Sequence, residues 1–133
     1  MTEGERRYKN YKIYSCFVLN KLVSALGIDL YQEELEDKLD RILQERPQEL
    51  TKADIRHEIC SNHTMTEKIL EELARDGLVA VEKGDRKYTV KITKAGVLHV
   101  RKFNEFYIQI YESQIRDHYK YRELPAWFLK GKK

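Results

Sequence analysis

A chain of 133 residues has room for one domain with a real core, but not for two independent domains. Apolar residues make up 41% and charged residues 35%, which excludes a disordered chain while leaving a heavily charged surface. The net charge of +3 is unevenly spread: residues 30–76 carry 7 Lys/Arg against 13 Asp/Glu, and residues 77–133 carry 13 against 6. A basic flank of this kind suits a polyanion better than an even scatter would.

Two cysteines, Cys16 and Cys60, are too few to staple a secreted miniprotein, so a reducing, cytoplasmic setting is expected. The stretch "IYSCFVLNKLVSALGI" follows several basic residues and imitates a signal peptide, but Asn20 and Lys21 interrupt its apolar run. No run is long enough to span a membrane, and no membrane partner is expected.

In residues 8–26 the apolar positions Tyr11, Tyr14, Phe17, Val18, Leu22, Val23 and Leu26 recur at steps of three and four, which predicts a helix closed by Gly27. That helix is apolar around most of its girth and therefore needs cover on several sides. A second helix is expected over 31–46, with Leu35, Leu39, Ile42 and Leu43 on one stripe and Pro47 at its end. "ELTKADIRHEI" sets Thr51 as an N-cap, with Asp54 three residues on and Ile55 and Ile59 as inward positions of a short third helix.

After the corner "CSN", Asn62 is placed to cap a fourth helix with Thr66, Ile69, Leu70 and Leu73 inward, and Gly77 supplies the left-handed turn at its end. "LVAVEKGDRKYTVKI" reads as a hairpin, with Gly84 in the turn and Tyr88, Val90 and Ile92 alternating on the second strand. From Thr93 the repeat of Val97, Val100, Phe103, Tyr107 and Ile110, with no proline or glycine from Val97 to Leu124, predicts one long helix over about 94–119.

Helix, three-residue corner, helix, glycine, strand, basic turn, strand is the order of a winged helix-turn-helix. "ADIRHEICSNHTMTEKILEELARDGLVAVEKGDRKYTVKIT" resembles that superfamily, with Cys60 in the turn where Gly is common and "LARDGLVAV" similar to the segment that leads into the wing. The resemblance covers roughly residues 36–92. With a helix before and a long one after, the chain looks most like dimeric MarR-type and PadR-type transcriptional regulators. The expected fold is thus mainly α with a small β-hairpin wing, in one domain spanning 1–133: an N-terminal helix (8–30), the winged helix-turn-helix core (31–92), and a long C-terminal dimerisation helix with its tail (93–133).

What the resemblance implies is double-stranded DNA as partner, with the fourth helix in the major groove and the hairpin on phosphates or the minor groove. The groove-facing residues would be His63, Thr64, Glu67 and Lys68, where Glu67 would accept from cytosine. The wing residues would be Lys83, Arg86 and Lys87, and Arg86 is the best placed for phosphate pairing or minor-groove insertion. One feature opposes this reading, because Glu67, Glu71, Glu72 and Asp76 outweigh Lys68 and Arg75 on the recognition helix.

The aromatic excess at the two ends of the chain points to a homodimer through Tyr11, Tyr14, Phe17, Phe103, Tyr107, Ile110, Trp127 and Phe128, unless these side chains close the chain's own core. The MarR likeness also allows a small-molecule effector, although no residue set identifies one. "HEICSNH" invites a metal or thiol reading through His57, Cys60 and His63, but the corner splits the trio between two helices, so no metal and no cofactor is expected. No Gly-rich phosphate loop, "HExxH" or serine elbow is present, so no enzyme is expected either. The competing reading is a winged-helix adaptor that binds protein rather than DNA, which the acidic recognition helix would suit.

Overall fold

The computed structural model describes residues 11–45 and 49–131. These form a mainly helical fold with a small three-stranded antiparallel sheet. Helix α1 (Tyr11–Leu26) is its central rod. It packs against the helices Lys52–Ile59 and Lys94–Ile110 and also reaches the helix His63–Arg75 and the sheet, which accounts for apolar residues around most of its girth. Gly27, at φ +67°, ends it in the left-handed region where a side chain would be strained.

Helix α2 is Leu35–Glu45, four residues shorter at its start than the periodicity predicts. The cause is a local competitor. The Asp29 Oδ1 accepts from the Tyr31 amide at 2.9 Å and the Gln32 side chain donates to the Asp29 carbonyl at 2.9 Å, so residues 29–34 form turns. Glu34 at φ +59° then redirects the chain into the helix. The expected stop at Pro47 lies outside the described residues.

A two-residue strand, β1 (Leu50–Thr51), precedes α3 (Lys52–Ile59). Thr51 serves both elements. Its backbone pairs with Thr89, its side chain accepts from the Asp54 amide, and the Asp54 carboxylate accepts from the Thr51 amide, completing the expected capping box. Cys60 closes α3 in the left-handed conformation at φ +52°, and Asn62 caps α4 (His63–Arg75) by accepting from the Met65 amide at 2.7 Å.

The end of α4 is a Schellman turn: Leu78 donates to the Leu73 carbonyl and Gly77, at φ +77°, to the Ala74 carbonyl, both at 3.0 Å. Strands β2 (Val79–Lys83) and β3 (Tyr88–Ile92) follow as the hairpin, with Val81 opposite Val90 and Gly84 in its turn. The strand order is β1-β3-β2.

Helix α5 (Lys94–Ile110) starts under unusually tight contact. A Cβ on Gly96 would lie 2.1 Å from the Leu78 carbonyl oxygen and 2.7 Å from Ile92 Cγ1. Thr93 ties this junction together, its hydroxyl donating to the Gly77 carbonyl at 2.7 Å and accepting from the Gly96 amide at 3.0 Å.

The single long helix predicted over 94–119 is in fact two. Tyr111, at φ −108° and ψ 22°, separates α5 from α6 (Glu112–His118). No proline or glycine marks the break. It brings Ile115 and Tyr119 into the core, so tertiary burial overrides a locally continuous helix. The chain then turns through Pro125 into α7 (Ala126–Gly131).

This return path covers several of the aromatics expected at a dimer interface with the chain's own core. Tyr14 and Phe128 are buried in the chain's own core, as is Phe17 at 2% exposure, which stacks on His118 at 4.2 Å between ring centroids. Trp127 is half-buried beside Phe17. The side chain of Tyr11 lies outside the described residues. Phe103 and Tyr107 are half-covered, while Ile110 (51%) and Phe106 (55%) stay exposed.

Candidate nucleic-acid interface

The sequence places a possible groove-facing surface on α4 and the β2–β3 hairpin, and the structure puts these elements in contact. At their junction is Glu67. Its carboxylate lies 3.7 Å from Lys52 Nζ, 3.5 Å from Lys83 Nζ and 3.9 Å from His63 Nε2. Lys52, chiefly, and Lys83 hold this carboxyl below the ordinary glutamate range. Glu67 therefore lies within reach of two ammonium groups and braces α4 to the hairpin, with about a third of its side chain still exposed.

Lys52 escaped the sequence reading. It is the first residue of α3 and shares the inward stripe with Ile55 and Ile59, at steps of three and four. Only 7% of it is exposed; its ammonium sits 3.0 Å from His63 Nε2 and 5.0 Å from the Tyr88 ring centroid. Lys83 approaches the same ring from the hairpin, at 5.4 Å. A lysine on an otherwise apolar stripe was the available signal.

His63, Thr64 and Lys68 occupy the exposed N-terminal half of α4. Glu71 and Arg75 continue that exposed face. Because Glu67 is matched by two lysines, the acidic excess on the helix is largely confined to its C-terminal half. At the hairpin tip Gly84, Asp85, Arg86 and Lys87 are exposed. Other basic residues near the hairpin are engaged: Lys91 with Glu49 at 3.9 Å and Lys94 with Asp40 at 3.5 Å. Among the described residues Arg86 and Lys87 have no carboxylate within ion-pair distance.

Behind α4, the "HEICSNH" corner is held by the end of the chain. The Tyr119 hydroxyl donates to the Glu58 carboxylate, which also lies 3.8 Å from Arg122 and 3.9 Å from Lys21. Arg122 donates to the Glu58 carbonyl at 3.0 Å and approaches the exposed Cys60 sulfur at 3.2 Å. His63 is thus turned to Lys52 and Cys60 to Arg122, and among the described residues no group of three His, Cys, Asp or Glu side chains is arranged to hold a metal. Both cysteines are free thiols. Burial pushes the Cys16 thiol up to about 12, against the lowering effect of its bond from Asn20. No helix among the described residues is long and apolar enough to cross a membrane.

Comparison of the chain with protein-family models, with curated proteins and with solved structures finds no match.

Proposed function

We propose that residues 31–92 form a winged helix-turn-helix and that the chain is a homodimeric, non-catalytic DNA-binding protein that regulates transcription. In this reading His63, Thr64 and Lys68 enter the major groove, and Arg86 and Lys87 meet phosphates or the minor groove. The observation that carries the proposal is the pairing of Glu67 with Lys52 and Lys83. It matches the carboxylate nearest the groove end of α4 with two lysines and leaves Arg86 and Lys87 at the hairpin tip for a polyanion. The half-exposed ridge of Phe103, Phe106, Tyr107 and Ile110 on α5 is the surface through which a second copy would pack.

The test is fluorescence anisotropy on duplex DNA across a salt series. Each phosphate contact contributes about −0.9 to the log-log slope, so the double substitution Arg86→Ala, Lys87→Ala should flatten it by about 1.8 per subunit. Absence of binding by the unaltered protein at low salt would sink the proposal.

A second reading, an adaptor that binds protein, is favoured by the exposed Glu71 on α4, Asp76 at its C-cap and Glu82 on β2. Nucleic acid that copurifies with the protein, and is released by salt, decides against it.

A further inference from the structure

A cavity of about 360 Å³ opens where the end of α3 meets the segment between α6 and α7, lined by Arg56, His57, Cys60, Ser61 and Arg122. Two of these side chains are guanidinium groups, and a third is an imidazole that can add a further positive charge. No carboxylate among the described residues lines the cavity. Cations gathered around one hollow repel one another, which costs the fold stability until an anion joins them.

The neighbouring side chains do not supply that anion. Glu58 is shared already, since it accepts from the Tyr119 hydroxyl and lies 3.8 Å from Arg122 and 3.9 Å from Lys21. Asp54 is spent on the cap of α3, accepting from the Thr51 amide at 3.0 Å. Arg56 and His57 are exposed, and among the described residues neither has a carboxylate within ion-pair distance. The carbonyls at the end of α3 would repel an anion as the negative pole of that helix, but each is hydrogen-bonded, which blunts the effect. The Arg56 carbonyl accepts from the Ser61 amide and the His57 carbonyl from the Cys60 amide, both at 3.3 Å. The Glu58 carbonyl accepts from His118 Nε2 at 2.8 Å and from Arg122 at 3.0 Å. Arg122, which also approaches the Cys60 sulfur at 3.2 Å, is thereby fixed in the cavity wall before any ligand arrives.

We infer that this cavity is a binding site for a small phosphate dianion, either inorganic phosphate or the terminal phosphate of a small monoester. Guanidinium forks match the oxygens of a phosphate, and His57 adds a donor from the same turn of α3 as Arg56. Charge selects the ligand: a terminal phosphate brings nearly two negative charges and three free oxygens, whereas a phosphodiester of nucleic acid brings one charge and two. The site belongs to a single chain and does not depend on DNA binding, so its test is separate from that of the proposed function.

Cys60 stands in the cavity wall as an exposed free thiol while Cys16 is 3% exposed, so alkylation of the folded protein by iodoacetamide, a neutral reagent, reports on this cavity. Peptide mass mapping confirms that Cys60 carries the label. With ionic strength held constant by sodium chloride, millimolar inorganic phosphate should slow the alkylation saturably, by at least about threefold, as mass action fills the site. Arg56→Gln should lose most of that protection, and His57→Gln, also at an exposed position, is the second variant in case the first fails to fold. Ribose 5-phosphate protecting at lower concentration than inorganic phosphate assigns the site to a monoester, and equal protection assigns it to phosphate itself. No slowing beyond the chloride control, undiminished protection in the folded variants, or protection by duplex DNA without protection by phosphate would each overturn the inference.

Discussion

Lys52 Nζ lies 3.7 Å from Glu67 Oε2, yet the lysine side chain is 9% exposed and the glutamate 35%. The two partners are therefore not equivalent. Removing the carboxylate strands a buried cation, while removing the cation leaves a carboxylate that water can reach. Glu67→Gln should lower the unfolding midpoint more than Lys52→Met does, and the double variant should recover part of the loss. Urea denaturation of the four proteins checks this as a double-mutant cycle, and equal effects of the two single changes would refute it.

The same pair sets a pH dependence. The Glu67 carboxyl titrates lower in the folded chain than in the unfolded one, so its contribution is fully present above the unfolded glutamate value of about 4.3. It is lost as pH falls through the lower folded value. Acid titration of stability should show a loss in this window that is smaller in Lys52→Met.

His118 adds a second acid-sensitive group at higher pH. Burial holds its imidazole below the usual histidine range, opposed by its bond to the Glu58 carbonyl. Its neutral form is the one the core accepts, so its contribution is present above the unfolded value of about 6.5 and fades as pH drops through the folded value. His118→Phe should preserve the stack on Phe17 and flatten the stability profile between the two values. An unchanged profile would exclude His118 as the titrating group.

Gly96→Ala should be among the most damaging single-methyl additions in the chain. The new Cβ would meet the Leu78 carbonyl oxygen at 2.1 Å, and that oxygen is backbone already bonded to the Thr93 amide at 3.1 Å. Overpacking of this kind costs roughly 1–3 kcal/mol. Chemical denaturation should show a loss of that size, where alanine in an ordinary helical position would stabilise.

Asn62→Ala removes the side-chain acceptor at the start of α4 and should cost about 1 kcal/mol in urea. His63 and Thr64 sit in the frayed turn that results. If the proposed DNA-binding role holds, weakened binding beyond the loss of folded protein is the accompanying expectation, read by anisotropy.

What was legible in the sequence was mostly what is decided within a few residues. The caps at Thr51 and Asn62, the left-handed glycines 27 and 77, the hairpin turn and the inward stripe of α4 each depend on neighbours close in the chain. Strand β1 was missed because two residues carry no alternation, and its pairing partner is Val90, forty residues away. The break at Tyr111 has no local mark, since burial of Ile115 and Tyr119 drives it. Phe17 and Phe128 read as surplus aromatic surface only until α6 and α7 fold back over α1. For the candidate site, the exposure of His63, Thr64, Lys68, Arg86 and Lys87 follows from helix and hairpin periodicity. The pairing of Glu67 does not, because it needs Lys52 from another helix.

The bond from Thr93 to Gly77 makes the root of the hairpin a fulcrum. One hydroxyl holds the end of α4, the exit of β3 and the first turn of α5 at a single point. The five residues of β2 then act as a lever arm of about 17 Å, so a tilt of about 5° at the root carries Arg86 by about 1.5 Å. That distance is half a hydrogen bond. Any force that rocks α5 is thereby geared up into a displacement at the hairpin tip large enough to make or break a contact there.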